Sequence, residues 1–202
     1  MTHEALAFCT ELWNLGHELF KSSPETFPAH FVGGDAFNPE ILAVAPPASM
    51  QTAGVPIPDL NDLTSLNSLH GHVSAIHATA FFHLFKEDQQ LHMARAFAGL
   101  LSAEPGSVIL GVHTGAREKG LVNQVFRNIE VNMFSHSPES WTDMWDGEVF
   151  EKGMVKVEAE CREVMLEGVC RSSNVSTSLG GIATSLLNHS SIFTSSRYLL
   201  PQ

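Results

Sequence analysis

VSAIHATAFFHLF, residues 73–85, opens as a buried strand, with Val73, Ala75 and Ile76 among small residues, and closes on aromatics. Apolar positions at Leu84, Leu91, Ala94, Phe97, Ala98 and Leu101 then recur with a 3.6-residue period, which predicts a helix from Leu84 to Leu101. A Glu104-Pro105-Gly106 turn leads into a second strand, Ser107 to Val112. Strand, helix and strand in this order predict a βαβ unit with parallel, buried strands. Ligands of such sheets bind at the carboxyl ends of the strands. Those ends carry His77, Phe81, Phe82 and His83 on one side, and His113 with Thr114 and Gly115 on the other.

Working outward, the 202 residues suffice for a substantial core, and 44% hydrophobic with 16% charged residues is ordinary for a globular protein. The formal net charge of −11 argues against nucleic acid or an anionic membrane surface as partner. No apolar run has transmembrane length, and MTHEALAF lacks the basic start of a secretion signal. Cys9, Cys161 and Cys170 are odd in number and lack metal spacing, so reduced thiols and a cytoplasmic location are expected.

Glu4 to Phe20 reads as an amphipathic helix stopped by Pro24, and Pro28 to Phe37 as a short strand centred on Phe31 and Val32. Asn38 to Leu69, rich in Pro, Ala, Ser and Asn, reads as a long loop with a short helix near Leu60 to Leu66, suited to cover a site. Thr114 to Gly120 reads as another loop. Phe134 to Trp145 reads as a helix capped by Ser137, with Pro138 at its first position. Lys156 to Val164 alternates as a half-exposed strand, and Ser191 to Leu199 reads as a last, antiparallel strand.

LGHELF at 15–20, HFVGGDAF at 30–37, DLTSLNSLHGHVSAIHATAFFHLF at 62–85, PGSVILGVHTG at 105–115 and HSPESW at 136–141 together resemble the class I SAM-dependent methyltransferases of fungal secondary-metabolite biosynthesis. The resemblance runs from Leu12 to Val164 and again at the terminal strand. It implies an α/β fold: one methyltransferase-like domain over residues 1–202, Rossmann-like, with a mainly parallel sheet flanked by helices. It also implies that Asp35 and Phe37 bind the adenine side of SAM. The family's first strand, Gly-rich turn and second strand lie upstream of LGHELF, and no glycine precedes Gly16 here. A truncated fold that no longer binds SAM in the usual way is therefore expected. Open strand edges left by such a truncation favour a homodimer.

The candidate catalytic residues are His77, His83, His113 and His136, since imidazole titrates near neutral pH. At a helix start, His136 is expected to have its pKa lowered by the dipole. Phe81, Phe82, Trp141 and Ser137 are candidates for substrate binding. No metal site is expected, because no histidine pair has ligand spacing on a helix. Three functions follow: a cofactor-free cyclisation, isomerisation or pericyclic rearrangement of an apolar natural product; SAM-dependent O-methylation of a secondary metabolite; or a non-catalytic pseudoenzyme that binds a partner protein.

Overall fold

The structure is a computed structural model and describes residues 3–48, 56, 58–126, 129–164 and 188–198. It divides into two compact units, Met1–Ser74 with His92–Ser107, and Ala75–Leu91 with Val108–Gln202.

In the first unit, helix α1 spans His3–Phe20, as the periodicity predicts. Trp13 stacks on Phe31 at 5.2 Å and meets His17 edge-on at 5.0 Å, with Phe27 alongside. The strand expected around Phe31 is not formed. Pro28 lacks an amide hydrogen, and the Phe31 ring is spent on Trp13 rather than on a sheet. The long loop holds two 3-10 turns, Leu60–Asp62 and Asn67–Leu69. Asn67 pins it: its Oδ1 accepts the Ala43 amide hydrogen at 2.7 Å, and its Nδ2 donates to the Pro39 carbonyl at 2.8 Å.

Helix α2, Glu87–Leu100, starts later than the period suggests. Phe82–Leu84 instead forms a 3-10 turn that leaves Leu84 64% exposed. Glu87 and Asp88 favour the true start by lying at the positive end of the helix dipole. Its Met93, Ala94, Ala96, Ala98 and Leu100 are buried in the first unit together with Leu42. Small residues permit close approach here, since a Cβ on Gly99 would lie 2.8 Å from the Ala45 carbonyl oxygen.

The second unit holds β1 (Ala75–His77), β2 (Val108–Thr114), β3 (Gly120–Phe126), β4 (Ile129–Ser135), β5 (Val155–Val164) and β6 (Asn188–Tyr198). β1 and β2 pair in parallel, Ile76 opposite Ile109, as the βαβ reading requires. The four-stranded sheet runs β1-β2-β6-β5, and β6 is antiparallel to both of its neighbours. The expectation of a mainly parallel sheet is thus corrected: among the described residues, this sheet of the mixed α/β architecture has one parallel strand pairing. The alternation of β5, with Val155 buried and Lys156 exposed, suits an antiparallel strand with one solvated face.

The β3–β4 hairpin, Gly120 opposite Ser135, was not expected from the sequence. Helix α3, Pro138–Trp145, follows at once; Phe134 and Ser135, expected in the helix, close β4 instead. Ser137 caps α3 in a reciprocal box with Ser140, and Pro138 opens it. The weakly patterned stretch 172–187 lies outside the described residues. Among the described residues, no helix is long and apolar enough to cross a membrane.

Candidate functional site

After β1 the chain stays alongside β2. The Ala78 and Ala80 amides donate to the Leu110 and Val112 carbonyls at 2.8 and 2.7 Å. Gly111 permits this close pass, because a Cβ there would collide with the Ala78 carbonyl. Ala80 sits in the left-handed region at φ 52°, an uncommon conformation for a residue with a side chain. This turn leads into the Phe82–Leu84 turn and brings Phe82 and His83 beside His113. Residues Ile109, Gly111 and His113 share one face of β2, by the two-residue period of a strand.

Trp141 is the centre of the resulting cluster. Its ring lies 4.7 Å from that of His113, 5.0 Å from Phe82, 5.6 Å from His136 and 5.7 Å from Trp145. The 3.6-residue period of α3 puts Trp141 and Trp145 on one buried face. His83 is 6.4 Å from His113, and its Nδ1 accepts a long hydrogen bond from the Thr114 amide at 3.4 Å.

Burial decides the charge of these imidazoles. His113, 5% exposed, has its pKa pushed down to about 3, first by burial and then by His83 and His136. His136, 3% exposed, is lowered to about 4 by burial and then by Lys119, with Glu87 opposing. The direction expected for His136 holds, but its leading cause is burial and not the dipole. Burial lowers His83 as well. All three are therefore neutral at pH 7, each able to donate one hydrogen bond and accept another.

The structure brings together His83, His113, His136, Phe82 and Trp141. The remaining candidates have other partners. His77 is exposed on β1 and shares a 2.8 Å hydrogen bond with Thr79. Phe81 packs edge-on against Phe82 and Phe85. The Ser137 hydroxyl accepts the Ser140 amide hydrogen as a helix cap. In the first unit, Asp35 accepts the Phe37 amide hydrogen at 3.0 Å, and the Phe37 ring stacks on His92 at 5.6 Å. Among the described residues no group of three or more His, Cys, Asp or Glu is placed to hold a metal ion.

Two spaces adjoin the cluster. One is a small cavity of about 20 Å³ against Phe82, Gly111, His113, Trp141 and Trp145, room for about one water. The other is an open groove of about 1220 Å³ between the start of α2 and the hairpin, lined by His83, Leu84, Phe85, Leu121, Met133 and Phe134 among others. Leu84 and Leu121, 64% and 77% exposed, give it an apolar floor open to solvent. His83 connects the groove to His113, and Phe134 connects it to His136 by an edge-on contact at 5.1 Å.

Sequence reasoning missed Gln90 and Lys119. Gln90 is fully buried, and its amide donates to the Phe85 and Phe134 carbonyls at 2.9 and 3.0 Å, tying α2 to β4. Lys119 pairs with Glu87 and lies over the Phe134 ring at 5.9 Å. A lone glutamine at the start of a helix gives no local sign of either role.

No family model matches the chain. Curated fungal proteins do. O-methyltransferase phiE of a Fungal sp. is 29% identical over 143 residues, covering 69% of this chain and 38% of that protein. Asnovolin E/Chermesin D methyltransferase nvfJ of Aspergillus novofumigatus is 34% identical over 80 residues, 40% of this chain and 28% of that protein. Methyltransferase trt5 of Aspergillus terreus is 27% identical over 78 residues, 39% of this chain and 27% of that protein. The matched part thus spans well under half the length of each relative. The similarity expected from the motifs is real, and the chain resembles fungal methyltransferases.

Proposed function

We propose that the protein transfers a methyl group to an oxygen of a largely apolar natural product bound in the groove along Leu84, Leu121 and Phe134. One observation carries the reading: an apolar groove of about 1220 Å³ is joined, through His83 and Phe134, to imidazoles that burial keeps neutral. The groove suits a natural product with little charge, and the neutral imidazoles suit a hydroxyl that must be oriented in a dry site. The resemblance to methyltransferases supports the reaction type. When bound, SAM would supply an electrophilic methyl group. The residues that the resemblance gives to its adenine end, Asp35 and Phe37, belong to the first unit, where the Asp35 carboxylate accepts the Phe37 amide hydrogen. The Phe82, Trp141 and Trp145 rings exclude water, and the imidazoles hold the hydroxyl proton by hydrogen bonding.

A second reading is the cofactor-free rearrangement of the same class of substrate. It is favoured by the polar groups of the cluster, which are uncharged imidazoles set among rings, enough to fold a substrate into a reactive shape. The full chain should be titrated with SAM by calorimetry and then incubated with hydroxylated terpenoid and polyketide acceptors. A saturable heat and products heavier by one methyl are expected. No SAM heat, together with products of unchanged mass, would move the conclusion to the second reading; no conversion of any kind would leave a binding protein. The homodimer belongs to the same proposal, and sedimentation equilibrium showing only monomer would remove it.

A further inference from the structure

We propose that His136 is a hydroxyl-recognising residue: its unprotonated Nε2 accepts a hydrogen bond from an alcohol or phenol admitted from the groove where the Phe134 ring gives way. The inference rests on the reading of that groove as the substrate site, and it adds which hydrogen-bond role the site plays.

The first observation is an unmet need. His136 is 3% exposed, and among the described residues its Nε2 has no hydrogen-bond partner. Buried ring nitrogens are rarely left so, because the solvation lost on burial is not returned. The neighbouring Ser135 hydroxyl, also fully buried, shares this condition.

The second observation fixes the proton. Ser140 Oγ has three contacts: the Ser137 amide at 3.0 Å, His136 Nδ1 at 2.9 Å and the Ser137 carbonyl at 3.2 Å. A hydroxyl has one hydrogen and two lone pairs. The amide must donate and the carbonyl must accept. All three contacts are satisfied together only if Ser140 donates to the carbonyl and Nδ1–H donates to Ser140. Nε2 is then a bare acceptor, and only a donor can meet it.

The third observation is a route. Phe134 lines the groove and packs edge-on against His136, and Lys119, held by Glu87, lies over the same ring. The Phe134 ring is thus the contact through which the groove adjoins His136.

An acceptor-only site separates a hydroxyl from its own methyl ether. The alcohol can donate; the ether has no hydrogen to give, so substrate is held and product is not. The test uses 2-naphthol and 2-methoxynaphthalene as probes on the full chain labelled with ¹⁵N-histidine. Long-range ¹H–¹⁵N spectra should show His136 protonated at Nδ1. Naphthol should move its Nε2 resonance saturably and bind about three- to tenfold more tightly than the ether, the effect of one buried hydrogen bond. His136→Phe should erase that preference, and Phe134→Ala should retain it while speeding association. If His136→Phe does not fold, Ser140→Ala serves in its place: it removes the lock on the tautomer and should shrink the preference. A proton on Nε2, equal binding of the two probes, or no binding of either overturns the inference. Naphthol bound at His136 without any methyl transfer keeps the inference and removes the reaction. Methyl transfer with an unresponsive His136 does the reverse.

Discussion

Each unit has an aromatic cluster that includes histidine, and the two differ in burial. In the first, Trp13, His17, Phe27 and Phe31 gather along α1, but Phe27 is half exposed and His17 Nδ1 is paired with the Ser22 hydroxyl at 2.8 Å. In the second, Phe82, His113, His136, Trp141 and Trp145 are all buried, and two imidazoles are forced neutral. The same residue types thus yield a surface stack in one place and a buried, uncharged interior in the other. Composition does not separate them; desolvation does.

The largest effect expected from this contrast is in stability. Trp141→Ala removes a buried ring in contact with Phe82, His113, His136 and Trp145 and should cost about 3–5 kcal/mol. Trp13→Ala removes a half-exposed ring, whose neighbours stay in contact with water, and should cost about 1–2 kcal/mol. Urea unfolding of both variants gives the comparison. Equal losses would mean that the α1 stack is as much a core as the Trp141 cluster.

How much of this could be read from the sequence follows the same line. α1, the parallel pairing of Ile76 with Ile109, the Ser137 cap and the antiparallel final strand were legible, because each rests on a local period or a short cap signal. His83, His113 and His136 could be nominated from their places at strand and helix ends. His77 was nominated by the same rule, yet β1 turns it outward, since a three-residue strand is too short for alternation to fix a face. The β3–β4 hairpin was not legible, as Arg127-Asn128 between its strands is a weak turn signal. Phe31 read as a strand because an isolated β-favouring residue does not reveal that its ring has a helix-borne partner.

The second prediction concerns pH. His113 and His136 have folded pKa values of about 3 and about 4, below the ordinary value of 6.5. Above pH 6.5 both states are neutral and the pair has no effect. As pH falls below that value the unfolded chain takes up protons that the folded chain refuses, so stability falls. The loss is on the order of 1 kcal/mol per pH unit for each group, and it levels off once pH passes the folded values. His113→Phe should flatten this acid limb in part, read as the slope of Tm against pH between 6.5 and 4.5. A wild-type slope in His113→Phe would place the proton linkage elsewhere in the chain.

The smallest effect tests where the backbone is strained. Lys21 and Ala80 are the two non-glycine residues with positive φ among the described residues, at 51° and 52°. Lys21 follows α1, where the Ser22 amide reaches back to the His17 carbonyl at 3.0 Å in the manner of a left-handed helix cap. Ala80 instead stands between the β1 edge and the turn bearing Phe82 and His83. Glycine removes the Cβ penalty at either position and adds freedom to the unfolded chain. At Lys21 the first effect should win, giving about 0.5–1 kcal/mol of added stability and no other change, because a cap has only to end a helix. At Ala80 the gain should be smaller, since glycine also loosens a segment whose one conformation sets the distance from His83 to His113. The same substitution should therefore weaken the naphthol-over-ether preference while leaving Tm nearly unchanged. An Ala80→Gly protein that is stabilised like Lys21→Gly and keeps the full preference would show that the left-handed turn is ordinary strain and has no part in placing the site.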